Sequence, residues 1–527
     1  MDYFANIHGT IEENFCLYVD KPLFLFPAKV GTNCVSYAQF HSVLNNLSTK
    51  LNELNIVAGD RIAAISSTTE SYMGLAVILE YLGVVLVPID CNLPISEQNR
   101  LIEFCEPKAV FIEDRLESNI TCDGPSVFIM KSGCEYELKT VGKDLSHLKK
   151  SHEDIAVILF SSGTTGAING VEVTKKGIWL TYVLASDFTA SKASDLYLNV
   201  LPLSHIAGYG TAFTFCLLGA SMCFAGEVNA NSLLKAFQTF NPTAFEMVPE
   251  VYELMRVRTL ATIKRSKPLY AYYKFATGIV RFSRQHLNIC PKFLTRPIYS
   301  KLLGKNYRGG ACGAAPVSEE TMRFYLDLGV QIVNGYGSTE TSFPIASTHC
   351  LAPYEYKGVG KVDRYKEIQI KINNPDENGI GEIYVKTELI MRGYYKNPEL
   401  TKNAFDAGWY KTGDLGYIDK DNILYIKGRL KENIVLANGE KVTPLEIDDY
   451  YKIENVKIAA TGVTNEKGYD EIHLFIESDD EALIKEAIEK SMSAPKNYKI
   501  TKAHLINEIP VTSTGKIKRF ELRKLVK

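Results

Sequence analysis

Apolar residues along the first 110 positions alternate between two periods. Phe40, Val43, Leu44, Leu47, Leu51 and Leu54 recur at the three-and-four spacing that places them on one face of a helix. A Gly59-Asp60 turn follows, and Arg61-Ile62-Ala63-Ala64-Ile65 reads as a strand. The alternation continues with a mostly buried helix over 72–82, a strand over 84–89, a helix over 95–105 and a strand over 109–112. This predicts an α/β fold with largely parallel sheets. Residues 206–225 carry no charge, which is the length of a membrane span. Gly208, Gly210, Gly219, Thr211, Thr214 and Ser221 inside that stretch instead predict a buried helix running into a buried strand.

Residues 257–308 are basic and aromatic and predict a helical hairpin. A solvated face is the default, with a surface for acidic partners or lipid headgroups as the alternative. From about 355 the texture becomes hairpin-like, with Glu367-Ile368-Gln369-Ile370-Lys371-Ile372 alternating and a turn at Asp419-Lys420-Asp421-Asn422. The last hundred or so residues hold their own strands (458–462, 471–476) and a helix near 481–492, which predicts a small α+β domain.

Composition adds limits. The 527 residues are 46% hydrophobic and 23% charged, enough for one large core and a second. With 59 Lys and Arg against 61 Asp and Glu, the net charge of −2 gives no bulk attraction to nucleic acid. The 11 cysteines form no CxxC pair, so neither a zinc ribbon nor a dithiol redox motif is expected, and most are read as small core residues. The N-terminus lacks a signal-peptide pattern, and the expected location is cytoplasmic.

Five segments carry chemistry. An apolar run from 155 empties into Ser161-Ser162-Gly163-Thr164-Thr165-Gly166, whose glycines and hydroxyls suit a polyphosphate. It is not a Walker A loop, and the plain alternative is a polar loop between strand and helix. After the strand Val330-Gln331-Ile332-Val333 come Asn334-Gly335-Tyr336-Gly337-Ser338-Thr339-Glu340-Thr341. There a glycine-flanked tyrosine can lie on a purine, Thr339 can donate to a phosphate, and Glu340 is a hard oxygen ligand for magnesium. Upstream, Gly313-Ala314-Ala315 would let an adenine approach the backbone. Asp414, read as lying at a strand end, can accept both ribose hydroxyls. Gly428-Arg429-Leu430-Lys431, with Gly439 beyond, and Thr514-Gly515-Lys516 complete the set. Taken singly, Asp414 is a turn residue, Arg429 a surface pair-former and Lys516 a solvated lysine.

In this order the segments resemble the adenylate-forming superfamily of acyl- and aryl-CoA synthetases, luciferases and peptide adenylation domains, over nearly the whole chain. The resemblance implies a large N-terminal domain (1–430) of two β-sheets flanked by helices plus a distorted barrel. It also implies a mobile C-terminal domain (431–527). It implies attack of a carboxylate on the α-phosphate of ATP, with Mg2+, then transfer of the acyl group to a thiol. By position, residues 161–166 would wrap the β- and γ-phosphates. Gly313, Ala314, Ala315, Asn334, Gly335, Tyr336 and Gly337 would line the adenine site, with Tyr336 stacked on the base. Thr339 would touch the α-phosphate, Glu340 hold magnesium, and Asp414 and Arg429 bind ribose. Lys431 would be the hinge, Lys516 the cation for adenylation, Gly439 the face of the pantetheine channel, and His205 the border of the carboxylate.

The chain departs from the family pattern at several positions. Asn169 replaces the usual loop lysine, Lys175 a histidine, Asn334 a common glutamine and Val511 a common basic residue. Ile206 stands where amino-acid-activating relatives carry aspartate, and small residues (Ala207, Gly208, Gly313, Ala314) are expected to leave room for a long or flat apolar tail. The expected activity is ligation of a fatty or aryl acid to coenzyme A. An acyl carrier protein as acceptor is the alternative within the class, and an impaired nucleotide- or acyl-binding protein the alternative outside it.

Overall fold

The computed structural model describes residues 3–28, 30–119, 124–162, 168–226, 230–313, 315, 317–342, 344–352, 354–453, 456–466, 468–512 and 515–526. The chain forms two compact units. The first is built from Met1–Ser161, Asn169–Gly360 and Thr387–Thr401, and the second from Ser162–Ile168, Lys361–Lys386 and Lys402–Lys527.

Local signals start and stop the helices of the first unit where periodicity places them. Ser36 and Gln39 form a capping box that opens Tyr37–Glu53, whose Phe40, Leu44, Leu47 and Leu51 are buried. Thr69 caps Glu70–Leu82, and Gly83 ends it in the left-handed conformation. Two eight-stranded sheets result. One runs in the order Gly393–Tyr394, Ile168–Thr174, Ile155–Ser162, Val85–Asp90, Arg61–Ser66, Ala109–Glu113, Ser126–Lys131, Glu135–Thr140. The other runs Pro344–Ser347, Gln331–Gly337, Gly309–Cys312, Ala244–Met247, Leu196–Asn199, Ser221–Phe224, Pro22–Pro27, Thr32–Ser36. The central strands of both are parallel, so each face is buried under helices.

The uncharged stretch is the helix Ile206–Leu217 followed by the strand Ser221–Phe224, both buried almost throughout. Among the described residues no helix is long and apolar enough to cross a membrane. The basic-aromatic segment is helical, over Pro249–Lys264 and Lys267–His286, but its charges are not all solvated. Arg256 is buried and pairs with Glu253 and Glu320, and Arg284 is buried and donates to Gln331. Of the ten cysteines described, all free, five are buried. The segment after Ile155–Ser162 joins it to a neighbouring strand, Ile168–Thr174, rather than to a helix; the helix Lys175–Thr189 comes only after that second strand.

In the second unit a five-stranded sheet holds Ile368–Asn373, Gly381–Thr387, Trp409–Ile418, Phe405–Asp406 and Leu424–Arg429. Residues beyond 430 form the hairpin Ile434–Val435 with Lys441–Val442, and a mixed sheet of Ile458–Thr464, Asp470–Glu477 and Lys502–Ile506. That mixed sheet has its own core around Ile447, Tyr451, Leu474 and Ile476. Arg519, 5% exposed, donates to the Ala460 carbonyl and to Asp448, both at 2.6 Å, and so ties the final helix Arg519–Lys524 to this sheet.

One buried group makes the first unit sensitive to pH. Glu80, on the helix Glu70–Leu82, is 2% exposed, and neither carboxylate oxygen has a hydrogen-bond partner among the described residues. Burial raises its pKa from 4.5 to about 7, with Lys175 opposing. The folded state therefore binds the proton more tightly than the unfolded one. The associated stability is complete below pH 4.5 and is lost as pH rises through 7. Glu80→Gln removes this dependence. Relative to wild type, its urea-unfolding free energy is expected to gain on the order of 3 kcal/mol between pH 4.5 and pH 8.

Candidate active site

In the first unit the site begins where two parallel strands end side by side. Gly309–Cys312 and Gln331–Gly337 pair with Cys312 opposite Asn334, so Gly313 emerges beside Gly335. A Cβ on Gly313 would lie 3.3 Å from the Gly335 carbonyl, and one on Gly335 would lie 2.9 Å from Pro344 Cγ. Open α/β sheets bind ligands at such carboxyl edges. The half-buried Tyr336 continues the strand and pairs with Ala346, and Gly337 pairs with Pro344. Asn334 is buried, and its side-chain amide donates to the Gly358 carbonyl at 2.9 Å. Ala315 is half-buried, and Ala314 lies outside the described residues.

The chain then turns through the 3-10 helix Thr339–Thr341. Ser342, at φ +58, ends it and donates its hydroxyl to the Leu389 carbonyl at 2.5 Å. The Met391 N–H donates to the Glu340 carbonyl at 2.8 Å, and the Tyr394 hydroxyl donates to Glu340 Oε1 at 3.0 Å. No basic side chain stands within ion-pair distance of the half-buried Glu340 carboxylate among the described residues. Among them there is also no group of three or more His, Cys, Asp or Glu that could hold a metal. A lone, oriented carboxylate fits Mg2+, which takes one or two protein carboxylates and completes its shell with phosphate oxygens and water. It does not fit an all-protein cage.

Ser161 and Ser162 close the strand Ile155–Ser162, while Gly163, Thr164, Thr165 and Gly166 lie outside the described residues. Asn169 is the second residue of the next strand. Lys175 is buried at the start of the helix Lys175–Thr189, and its amine donates to the Glu153 carbonyl at 2.5 Å. His205 is the half-buried residue before the helix Ile206–Leu217 and makes no capping bond with its side chain.

One expectation about room for the acyl tail changes. Gly208 does not leave room for substrate, because a Cβ there would lie 2.2 Å from the Pro202 carbonyl; its bareness serves backbone packing. The region also contains a buried acid that pattern reading passed over. Glu246 accepts from the Thr211 hydroxyl, and burial pushes its pKa up to about 7.

In the second unit Asp414 and Arg429 are direct cross-strand partners, with Arg429 Nε 3.0 Å from Asp414 Oδ1. Asp414 is not at a strand end, as read from sequence. It sits inside the ten-residue strand Trp409–Ile418, beside Gly413 at φ +70. The pairing persists through this kink because Thr412 donates to the Ile383 carbonyl and accepts from the Asp414 N–H. Lys431 is exposed in the 3-10 turn Leu430–Glu432, and Gly439, at φ +80, turns the hairpin 434–442. Lys516 is exposed on a tight loop. Val511 bridges Ile517, the Thr512 N–H donates to the Lys516 carbonyl, and the Lys516 N–H donates to Thr512 Oγ1. Sequence reading gave no role to Tyr394, which orients Glu340, or to Arg519, which anchors the chain just after Lys516.

The family described as AMP-binding enzyme matches residues 12–395. A long-chain-fatty-acid–CoA ligase, FadD13 of Mycobacterium tuberculosis, is 25% identical over 510 residues, covering 93% of each chain. The long-chain-fatty-acid–CoA ligase ACSBG1 of Bos taurus is 31% identical over 357 residues, covering 63% of this chain and 48% of that protein. The fold is shared with ATP-bound MatB from Rhodopseudomonas palustris, at TM-score 0.77 and 21% identity over 99% of both chains. It is also shared with a benzoate CoA ligase from Burkholderia xenovorans LB400, at TM-score 0.75 and 19% identity over 99% of this chain and all of that one. With the carboxyl-edge glycines, Glu340, the Asp414–Arg429 pair and Lys516 all present in a chain matched over most of its length, the protein belongs to the AMP-binding, adenylate-forming enzyme family.

Proposed function

We propose that the chain is an ATP-dependent acid–thiol ligase. It activates an apolar acid, a medium- or long-chain fatty acid or an aryl acid, as the acyl-adenylate and transfers the acyl group to coenzyme A. The observation that most supports this reading is the oriented Glu340 carboxylate beside the Gly313 and Gly335–Gly337 edge, in a chain similar over 93% of its length to a long-chain-fatty-acid–CoA ligase. Ile206, in place of an aspartate, argues against an amino-acid substrate.

A carboxylate is a poor electrophile, so the acid oxygen attacks the α-phosphorus of ATP and the bond to pyrophosphate breaks. The thiolate then attacks the acyl carbon, and AMP leaves with the bonding electrons. The protein contributes positioning and charge neutralisation. In this reading Tyr336 stacks on adenine, Asp414 accepts from the ribose hydroxyls with Arg429 beside it, and Thr339 donates to the α-phosphate. Ser161 to Gly166 wrap the outer phosphates, and Asn169 contributes a dipole where a lysine would contribute charge. Glu340 would hold Mg2+, which when bound offsets triphosphate charge, and Tyr394 fixes the carboxylate's direction. His205 borders the acid carboxylate.

Lys516 provides positive charge where the carboxylate meets phosphorus, and Gly439 faces the thiol path. Both belong to residues 431–527, and each is needed at the same acyl carbon, so a swing at Lys431 is the economical solution. Within the second unit that swing would part Thr443 from Gly428, where a glycine Cβ would lie 3.0 Å from Thr443 Cβ.

Pyrophosphate release measured on fatty, cinnamic and amino acids, with and without coenzyme A, tests the substrate. A fatty or aryl preference with coenzyme A-dependent AMP release is expected, whereas a clear amino-acid preference overturns the reading. The division of labour has its own test. Lys516→Ala is expected to slow acyl-adenylate formation by about 10²-fold or more while still converting supplied acyl-adenylate to thioester. Glu340→Ala is expected to lose adenylation while remaining folded. Equal loss of both steps in folded Lys516→Ala contradicts the assignment.

A further inference from the structure

The helix Lys267–His286 has two apolar faces, and the fold uses only one. Ala276, Thr277, Val280, Ser283 and Arg284 are buried in the first unit. A second row, Tyr272, Phe275, Ile279 and Phe282, repeats at three-and-four spacing on another face of the same helix. Phe275 is 64% exposed and Phe282 59%. The row continues past the helix end into Leu287, Ile289 and Phe293, which are 57%, 59% and 73% exposed. The Tyr272 hydroxyl donates to the Leu294 carbonyl at 2.7 Å, which folds the Phe293 segment back against the row, so these side chains form one patch. Contiguous exposed rings on this scale mark an interaction surface rather than scattered surface apolars.

Charge identifies the partner. Residues 254–318 contain 13 Lys and Arg and no Asp or Glu, in a chain whose net charge is −2. Arg258, Lys264, Arg265, Lys267, Lys274 and Arg296 are exposed, and none is within ion-pair distance of a described carboxylate. Three of them, Lys264, Arg265 and Lys267, occupy the turn that leads into the helix. An acidic protein surface would satisfy the cations and leave the rings in a polar contact. An anionic bilayer interface satisfies both, taking the rings at the acyl boundary and the cations at the phosphates. The helix is one of those described, none of which is apolar enough to span a membrane, so it would lie in the interface plane.

We propose that this face docks the enzyme peripherally on anionic lipid membranes through the Tyr272–Phe282 row and the flanking cations. Docking needs neither ATP nor an acid, so its test is independent of the proposed activity. The full chain is sedimented with vesicles of phosphatidylcholine alone and of phosphatidylcholine mixed with phosphatidylglycerol, at low and high salt. Binding to the anionic vesicles that weakens with salt is expected. Phe275→Ser with Phe282→Ser is expected to reduce that binding by about tenfold or more without lowering the melting temperature, since both rings are exposed. Lys264→Glu with Arg265→Glu and Lys267→Glu is expected to abolish the preference for anionic lipid. Absence of binding to anionic vesicles, or binding unchanged in both variants, overturns the proposal. So does a concentration-dependent dimer that the phenylalanine pair dissolves, which would assign the face to a second copy of the chain.

Discussion

The parallel pairing of Gly309–Cys312 with Gln331–Gly337 is the constraint from which the bare sheet edge and the Glu340 turn of the first unit follow. Strands locked in register end together, so Gly313 and Gly335 meet at the same edge. Neither position tolerates a side chain without displacing the other strand's carbonyl or Pro344. Backbone is therefore bare at this edge. The strand hands directly into the Thr339–Thr341 turn, and that turn is fixed at Ser342 and at the Glu340 carbonyl by residues 389–391. The direction of the Glu340 carboxylate is thus inherited from a sheet edge and finished by one tyrosine hydroxyl.

The second unit solves its positioning problem by opposing charges on adjacent strands. Asp414 and Arg429 hold each other at 3.0 Å, so the Asp414 carboxylate is oriented rather than freely rotating. The Lys516 loop is anchored differently. Its ends are bridged at Val511 and Ile517, and three residues after Lys516 the buried Arg519 reaches Ala460 and Asp448. The exposed Lys516 side chain thus stands on a fixed base.

Sequence periodicity was sufficient for the first sheets because helices such as Ile95–Cys105 and strands such as Arg61–Ser66 bury faces that local spacing reveals. The order of the chemical segments was sufficient for the family. What stayed hidden depends on contacts between distant residues. Tyr394 reaches Glu340 across 54 positions, and no local pattern distinguishes it from its neighbour Tyr395. Asp414 reads from sequence as lying at a strand end, yet the left-handed Gly413 only kinks a strand that continues to Ile418. Gly208 looked like space for substrate, but the returning Pro202 carbonyl fills that space. Glu80 gave no signal of its own, since a glutamate near a helix end is ordinarily solvated, whereas here the helix is buried on every face from Glu70 to Glu80.

The central claim is that the acid carboxylate itself attacks the α-phosphorus. A carboxylic acid labelled with ¹⁸O in both oxygens, turned over with ATP and coenzyme A, tests this directly by mass spectrometry of the nucleotide product. The account predicts one labelled oxygen in each AMP released and none in pyrophosphate. AMP free of label, with the label retained wholly in acid and thioester or appearing in pyrophosphate or phosphate, would contradict it.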